Sequence, residues 1–190
     1  MLIISIDPGT VNLGYYVGRV GYCRGGECDE NRVEHIQWGT IDLAKRVEGK
    51  AKPSSTDICK VILDEFIPSL PTDEHILVLV ESQMYSRMQL VAHTFWTYYY
   101  PRCVMVSPRG VKHRLGPLET CGGHDQNKKQ MVDLMLERRY IDVKGFSKDH
   151  MSILHNAVDA YAMALDYWLT NNYLKTYNVT SLSLPLRTEI

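Results

Sequence analysis

At 190 residues, with 45% apolar and 23% charged side chains, the chain suits one compact domain and is too ordinary in composition for a disordered or fibrous class. No apolar run nears the roughly 20 residues of a membrane helix, and the apolar start Met1–Ile6 is broken by Asp7 too soon for a signal peptide, so no membrane partner is expected. A net charge of −1 excludes a globally basic nucleic-acid binder, yet residues 109–148 hold nine Lys and Arg against five Asp and Glu, a basic segment beside an acidic remainder.

Residues 2–6, LIISI, read as a short buried strand that stops at the Pro-Gly break of DPGT. Segments 13–20 and 32–41 read as two further strands, joined through the Gly- and acid-rich CRGGECDEN as a hairpin loop. The loop 49–55 ends in a serine helix cap. Ile58, Val61, Ile62 and Phe66 then recur at helical spacing up to Pro68. HILVLV (75–80) is a continuous apolar run of the kind a central parallel strand shows, and it ends at Glu81. Met88, Val91, Ala92, Phe95, Trp96 and Tyr99 form one helical stripe before Pro101, with Met88, Phe95 and Trp96 assigned to the core and Tyr98–Tyr100 to core or a dimer surface. CVMVSP (103–108) predicts a strand and 125–139 a capped amphipathic helix. A last helix spans 150–170 with Ile153, Leu154, Ala157, Tyr161, Ala162 and Leu165 inward. The order predicts an α/β fold, a mixed sheet of a three-strand meander plus parallel strands flanked by helices. It forms a single domain over 1–175 with a short polar tail at 176–190.

The cysteines Cys23, Cys28, Cys59, Cys103 and Cys121 are odd in number and scattered, which predicts reduced thiols in an intracellular, reducing compartment such as cytoplasm, a viral replication site, nucleus or mitochondrion. Cys23 and Cys28 have the look of half a zinc site, but no second pair follows.

Three acids sit where structure does not require them. Asp7 and Glu81 each end an apolar strand, and Asp159 interrupts the Ala-rich NAVDAYAMAL. Singly, Asp7 has a plainer reading as a turn residue, Glu81 as an exposed strand end and Asp159 as half of an ion pair. Jointly, buried carboxylates cost several kcal/mol unless paired or bound to metal. Two adjacent strand ends crossed by the last helix would gather all three, and divalent cations would relieve their repulsion. Hard oxygen donors favour Mg²⁺ or Mn²⁺, and two such ions per site hydrolyse phosphodiesters. The last helix also offers a fourth group, His155 or Asn156, four and three residues before Asp159, with Asp166 further along the same face.

IDPGTVNLGYYV (6–17) resembles the first motif of RuvC-like Holliday junction resolvases, in the ribonuclease-H-like superfamily. ILVLVESQMYSRM (76–88) resembles their second motif, and its Glu-x-Gln form is similar to the poxvirus and fungal mitochondrial branch. VMVSPRGVKHRLG (104–116) resembles that branch's strand-Pro-x-x-Lys segment, NKKQMVDLM (127–135) its lysine-bearing helix, and LHNAVDAYAMAL (154–165) the final motif. The resemblance covers roughly residues 1–170. It implies a ribonuclease-H-like fold, a homodimer, and two-metal resolution of four-way DNA junctions by symmetric nicks that leave 5′-phosphate and 3′-hydroxyl ends. Asp7, Glu81 and Asp159 match the family's catalytic, metal-holding acids. Where many members carry a further Asp, this chain has His155 and Asn156. Arg109, Lys112, Lys128 and Lys129 are placed to meet phosphates, and Gln83, Tyr85 and Arg87 to enter the junction centre. The alternatives are a related nuclease acting on RNA or an RNA–DNA hybrid, and an actin- or sugar-kinase-type nucleotide-binding protein. The latter also carries a DPGT-like loop but needs a second, duplicated half.

Overall fold

The computed structural model describes residues 1–9, 11–20, 23–24, 27–28, 33–47, 53–72, 75–116, 124–138, 140–141 and 151–171, with backbone alone for 23–24, 27–28, 124–128 and 151–153. The expected tail at 176–190 lies outside them. Strands β1 (Leu2–Asp7), β2 (Asn12–Val20) and β5 (Val33–Asp42) form an antiparallel meander. On the other side of β1, β6 (Ile76–Glu81) and β7 (Cys103–Val106) run parallel to it. The order across this five-stranded sheet is β5-β2-β1-β6-β7. A separate two-stranded ribbon, β3 (Cys23–Arg24) with β4 (Glu27–Cys28), forms within the predicted hairpin loop.

Alternation along the strands divides the core in two. Leu2, Ile4, Ile6, Tyr15, Val17, Val78 and Val80 face one layer of helices, and Ile3, Tyr16, Trp38 and Leu79 face the other. All of β1 is buried, which explains its unbroken apolar run. The first layer holds α1 (Leu43–Arg46), α2 (Ser55–Val61), α3 (Ile67–Ser69) and α4 (Ser86–Tyr99). The second holds α5 (Pro108–Leu115), α6 (His124–Glu137) and α7 (Met151–Thr170).

The predicted serine cap is Ser54, whose Oγ accepts from Asp57 N while the Asp57 carboxylate accepts from Ser54 N, a reciprocal capping box. Between α2 and α3 the helix widens into a π turn, Ile62–Phe66, with Ile67 N–H donating to Ile62 O. The helix thereby passes Pro68, which brings no N–H of its own, and ends at Ser69.

Two sequence expectations change. The strand predicted over 103–108 stops at Val106, because Ser107 and Pro108 open α5, where proline suits the first helical position. In α4 only Val91, Ala92 and Phe95 of the predicted stripe are buried. Trp96 is 37% exposed and stacks on His93 and Tyr100 instead of entering the core. Tyr98 and Tyr100 are exposed as well, so this end of α4 is surface.

Candidate functional site

β1 and β6 are parallel and in register up to Ile6 opposite Val80, so their next residues, Asp7 and Glu81, end neighbouring strands side by side. Side chains alternate along a strand, so Asp7 shares the face of Ile3, and Glu81 that of Leu79. That is the face covered by α7.

A glycine lets α7 come close. Gly14 pairs with Asp7 across β1 and β2, and a β-carbon on Gly14 would lie 2.1 Å from the backbone carbonyl oxygen of Asn156. Further along, Tyr161 packs on Tyr16 with ring centroids 4.7 Å apart, and Tyr16 pairs with Ser5. Asp159 lies between these two contact points, so its level along the sheet is that of the last residues of β1. Asp7 is 8% and Asp159 7% exposed, Glu81 is half-buried, and so are His155 and Asn156.

The structure therefore brings the three predicted acids to one face and one end of the sheet. Among the described residues, no three His, Cys, Asp or Glu side chains stand close enough together to hold a metal ion between them. By donor type alone the three acids suit a hard divalent cation, being carboxylates from three separate elements, two of them more than nine-tenths buried. Gln83 holds Glu81 in place, its Nε2 donating to Glu81 Oε1 at 3.1 Å. Gln89 Nε2 donates to the Gln83 carbonyl at 3.1 Å, and Ser82 N–H to Val106 O at 2.8 Å, so the segment after Glu81 is pinned from both sides.

Asp166 drops out of the set. Both its oxygens are taken by Arg114, at 2.7 Å from Nε and 2.6 Å from Nη2. These hydrogen bonds raise the guanidinium's pKa further above its ordinary value. The pair ties α5 to α7.

The predicted nucleic-acid contacts separate into groups. Val106 pairs with Glu81, so Arg109 and Lys112 on the following helix start near the carboxylate edge, Arg109 exposed and Lys112 half-exposed. Lys129 is exposed on α6, and the side chain of Lys128 lies outside the described residues. Tyr85 is 75% exposed just past Glu81, and its neighbour Met84 is 91% exposed, against the usual burial of methionine. Arg87 is engaged elsewhere, donating from Nη2 to Pro53 O at 3.0 Å and from Nε to Ser55 Oγ at 3.5 Å.

No protein-family model matches the sequence, and no curated protein matches it. Among solved structures the chain is similar to the fowlpox virus resolvase in complex with Holliday junction DNA, at TM-score 0.61 and 16% identity over 90% of this chain and 99% of that one. Thermus thermophilus RuvC aligns at TM-score 0.49 and 14% identity over 88% and 94% of the two chains, and its Holliday junction complex at 0.48 and 15% over 91% and 98%. The sheet order, its mixed strand directions and the flanking helices are those of the ribonuclease-H-like fold that the fowlpox virus resolvase shares.

Proposed function

We propose that this chain, with its ribonuclease-H-like fold, is a divalent-metal-dependent endodeoxyribonuclease that resolves four-way DNA junctions by paired, symmetric nicks. The observation that supports it most is the side-by-side ending of β1 and β6 in Asp7 and Glu81, on the face where α7 carries Asp159. Those three carboxylates would hold Mg²⁺ or Mn²⁺, two ions per site. Bound ions supply Lewis acidity that lowers the pKa of a water and counter-charge for the leaving oxygen.

The protein's own groups do the rest. Gln83 fixes one oxygen of Glu81 by donating its side-chain amide to it. His155 can carry a proton on its imidazole, whereas Asn156 can only exchange hydrogen bonds through its amide, and either is placed one turn before Asp159. Arg109, Lys112, Lys128 and Lys129 neutralise phosphates and set the strand's register without reading bases. Tyr85 offers an exposed ring where stacking is interrupted at a junction centre, with Met84 beside it. Symmetric nicking requires two sites, hence a homodimer. The exposed Leu90, Trp96 and Tyr98 of α4 supply an apolar surface of the kind an obligate interface covers.

The decisive assay incubates purified protein and Mg²⁺ with four-way, flap, linear-duplex and RNA–DNA hybrid substrates. Cutting of the four-way substrate at symmetric positions is expected. Preference for the hybrid would make the protein a ribonuclease instead, and absence of metal-dependent cutting on every substrate would remove the nuclease reading.

A further inference from the structure

We propose that Cys23 and Cys28 form a reversible cross-strand disulfide, which makes the β3–β4 ribbon a thiol redox site separate from the carboxylate edge. The sequence CRGGEC sets the two cysteines around Gly25 and Gly26. In the ribbon Arg24 pairs with Glu27, and Cys23 is directly opposite Cys28. Arg24 and Glu27 are the first and fourth residues of a two-residue hairpin connection, which makes them the hydrogen-bonded pair. Pairs alternate along antiparallel strands, so Cys23 and Cys28 occupy the next, non-hydrogen-bonded site. Cα atoms at such a site stand about 4.5 Å apart, inside the roughly 4.4–6.8 Å window of a disulfide. Backbone register alone carries this conclusion.

The ribbon has two residue pairs, too few to be stable through hydrogen bonds alone. A covalent bond at one of them is the strongest link it could make. The enclosed loop is short, so closure removes little chain entropy and the effect stays local. β2 runs from Asn12, at the Asp7 end of the sheet, to Val20 at the far end, and the ribbon follows Val20. In chain order the ribbon therefore follows the end of β2 remote from Asp7. The other described thiols do not suit this role. Cys103 is buried and pushed up to about 12 by that burial, and Cys59 accepts a hydrogen bond from the Thr94 hydroxyl at 3.1 Å.

The oxidant is a small disulfide such as oxidised glutathione. One thiol of the pair loses its proton to solvent, and its sulfur attacks the small disulfide, breaking that S–S bond and expelling one thiolate. The second cysteine, also deprotonated, attacks the mixed disulfide, forms the Cys23–Cys28 bond and expels the other thiolate. Two electrons pass to the small molecule, and the protein loses two hydrogens. Excess thiol reverses both exchanges.

The test incubates the whole purified protein with oxidised glutathione, alkylates it in denaturant and digests it with trypsin. Cleavage after Arg24 leaves the peptides VGYCR and GGECDENR joined only through the disulfide. Recovery of that linked pair is expected, with alkylation of both cysteines about tenfold lower than before oxidation. In the Cys28→Ser variant, Cys23 should stop at the mixed disulfide with glutathione. Full alkylation of both cysteines after oxidation would overturn the proposal, as would a bond from either one to Cys59 or Cys121. The same link should form in the Cys59→Ser/Cys121→Ser variant, and its absence there would count equally against the proposal.

Discussion

A carboxylate more than nine-tenths buried is costly, and Asp7 and Asp159 are two of them on one face of the sheet. If they hold cations, removing one charge while keeping shape should separate binding from chemistry. Asp7→Asn is expected to bind a four-way junction as the native protein does and to nick it roughly a hundredfold more slowly or worse. Gel-shift and single-turnover cleavage on one preparation check both halves, and native-rate nicking by the variant would remove Asp7 from the site. Gly14 makes a different demand. Its missing side chain is what admits the Asn156 backbone, so Gly14→Ala should lower stability by about 1–3 kcal/mol, read by thermal unfolding. The placement of Asp7 and Glu81 at strand ends and of Asp159 in a buried helix was legible in the sequence because each interrupts an apolar run. Gly14 was not, because its constraint comes from a helix far along the chain. Asp166 shared helical spacing with Asp159, and its ion pair with Arg114 could not be read from that spacing. The contacts of Arg87 were hidden in the same way, since its partners belong to the start of another helix.

Helix α5 carries Arg109 and Lys112 next to the carboxylate edge and is anchored to α7 through Arg114 and Asp166. Arg114→Ala would leave a buried carboxylate without its cation. Half of the Arg114 side chain is exposed, which tempers the loss to about 2 kcal/mol of stability by chemical denaturation. Restoration by the double variant Arg114→Ala/Asp166→Asn would show that the lone charge, not the missing stem, is responsible. This helix escaped the sequence reading because it is short and largely polar, and its proline signal was absorbed into the preceding strand. In α4 the apolar period identified the helix correctly but overcounted its buried face, since periodicity records hydrophobicity and not what covers it. The surplus apolar side chains make a prediction of their own. Trp96→Glu should shift the proposed homodimer toward monomer in sedimentation, and an unchanged oligomeric state would move the interface elsewhere.

The arrangement of strands followed from their order in the chain: a meander first, then strands alternating with helices, gives a mixed sheet with β1 at its centre. The two-layer division of helices did not follow, because it depends on which way each connection crosses the sheet. That division buries protonated groups that resist ionisation. Burial pushes Tyr16 and Tyr161 well above the ordinary tyrosine value, Tyr99 up to about 12 and the Cys103 thiol up to about 12. The unfolded chain releases these protons from about pH 9 for the thiol and pH 10 for the phenols, while the folded chain still holds them. Stability is therefore unaffected at neutral pH and falls as pH rises through 9 to 12, to be seen as alkaline unfolding midpoints that drop with each pH step. Junction affinity should fall steeply with salt, and Lys129→Ala should make that dependence shallower by about one unit of slope. The three acids are also widely spaced in sequence, at Asp7, Glu81 and Asp159. During synthesis Asp7 leaves the ribosome early and Asp159 late, so a half-made polypeptide carries the strand ends of the carboxylate edge without the helix that completes it.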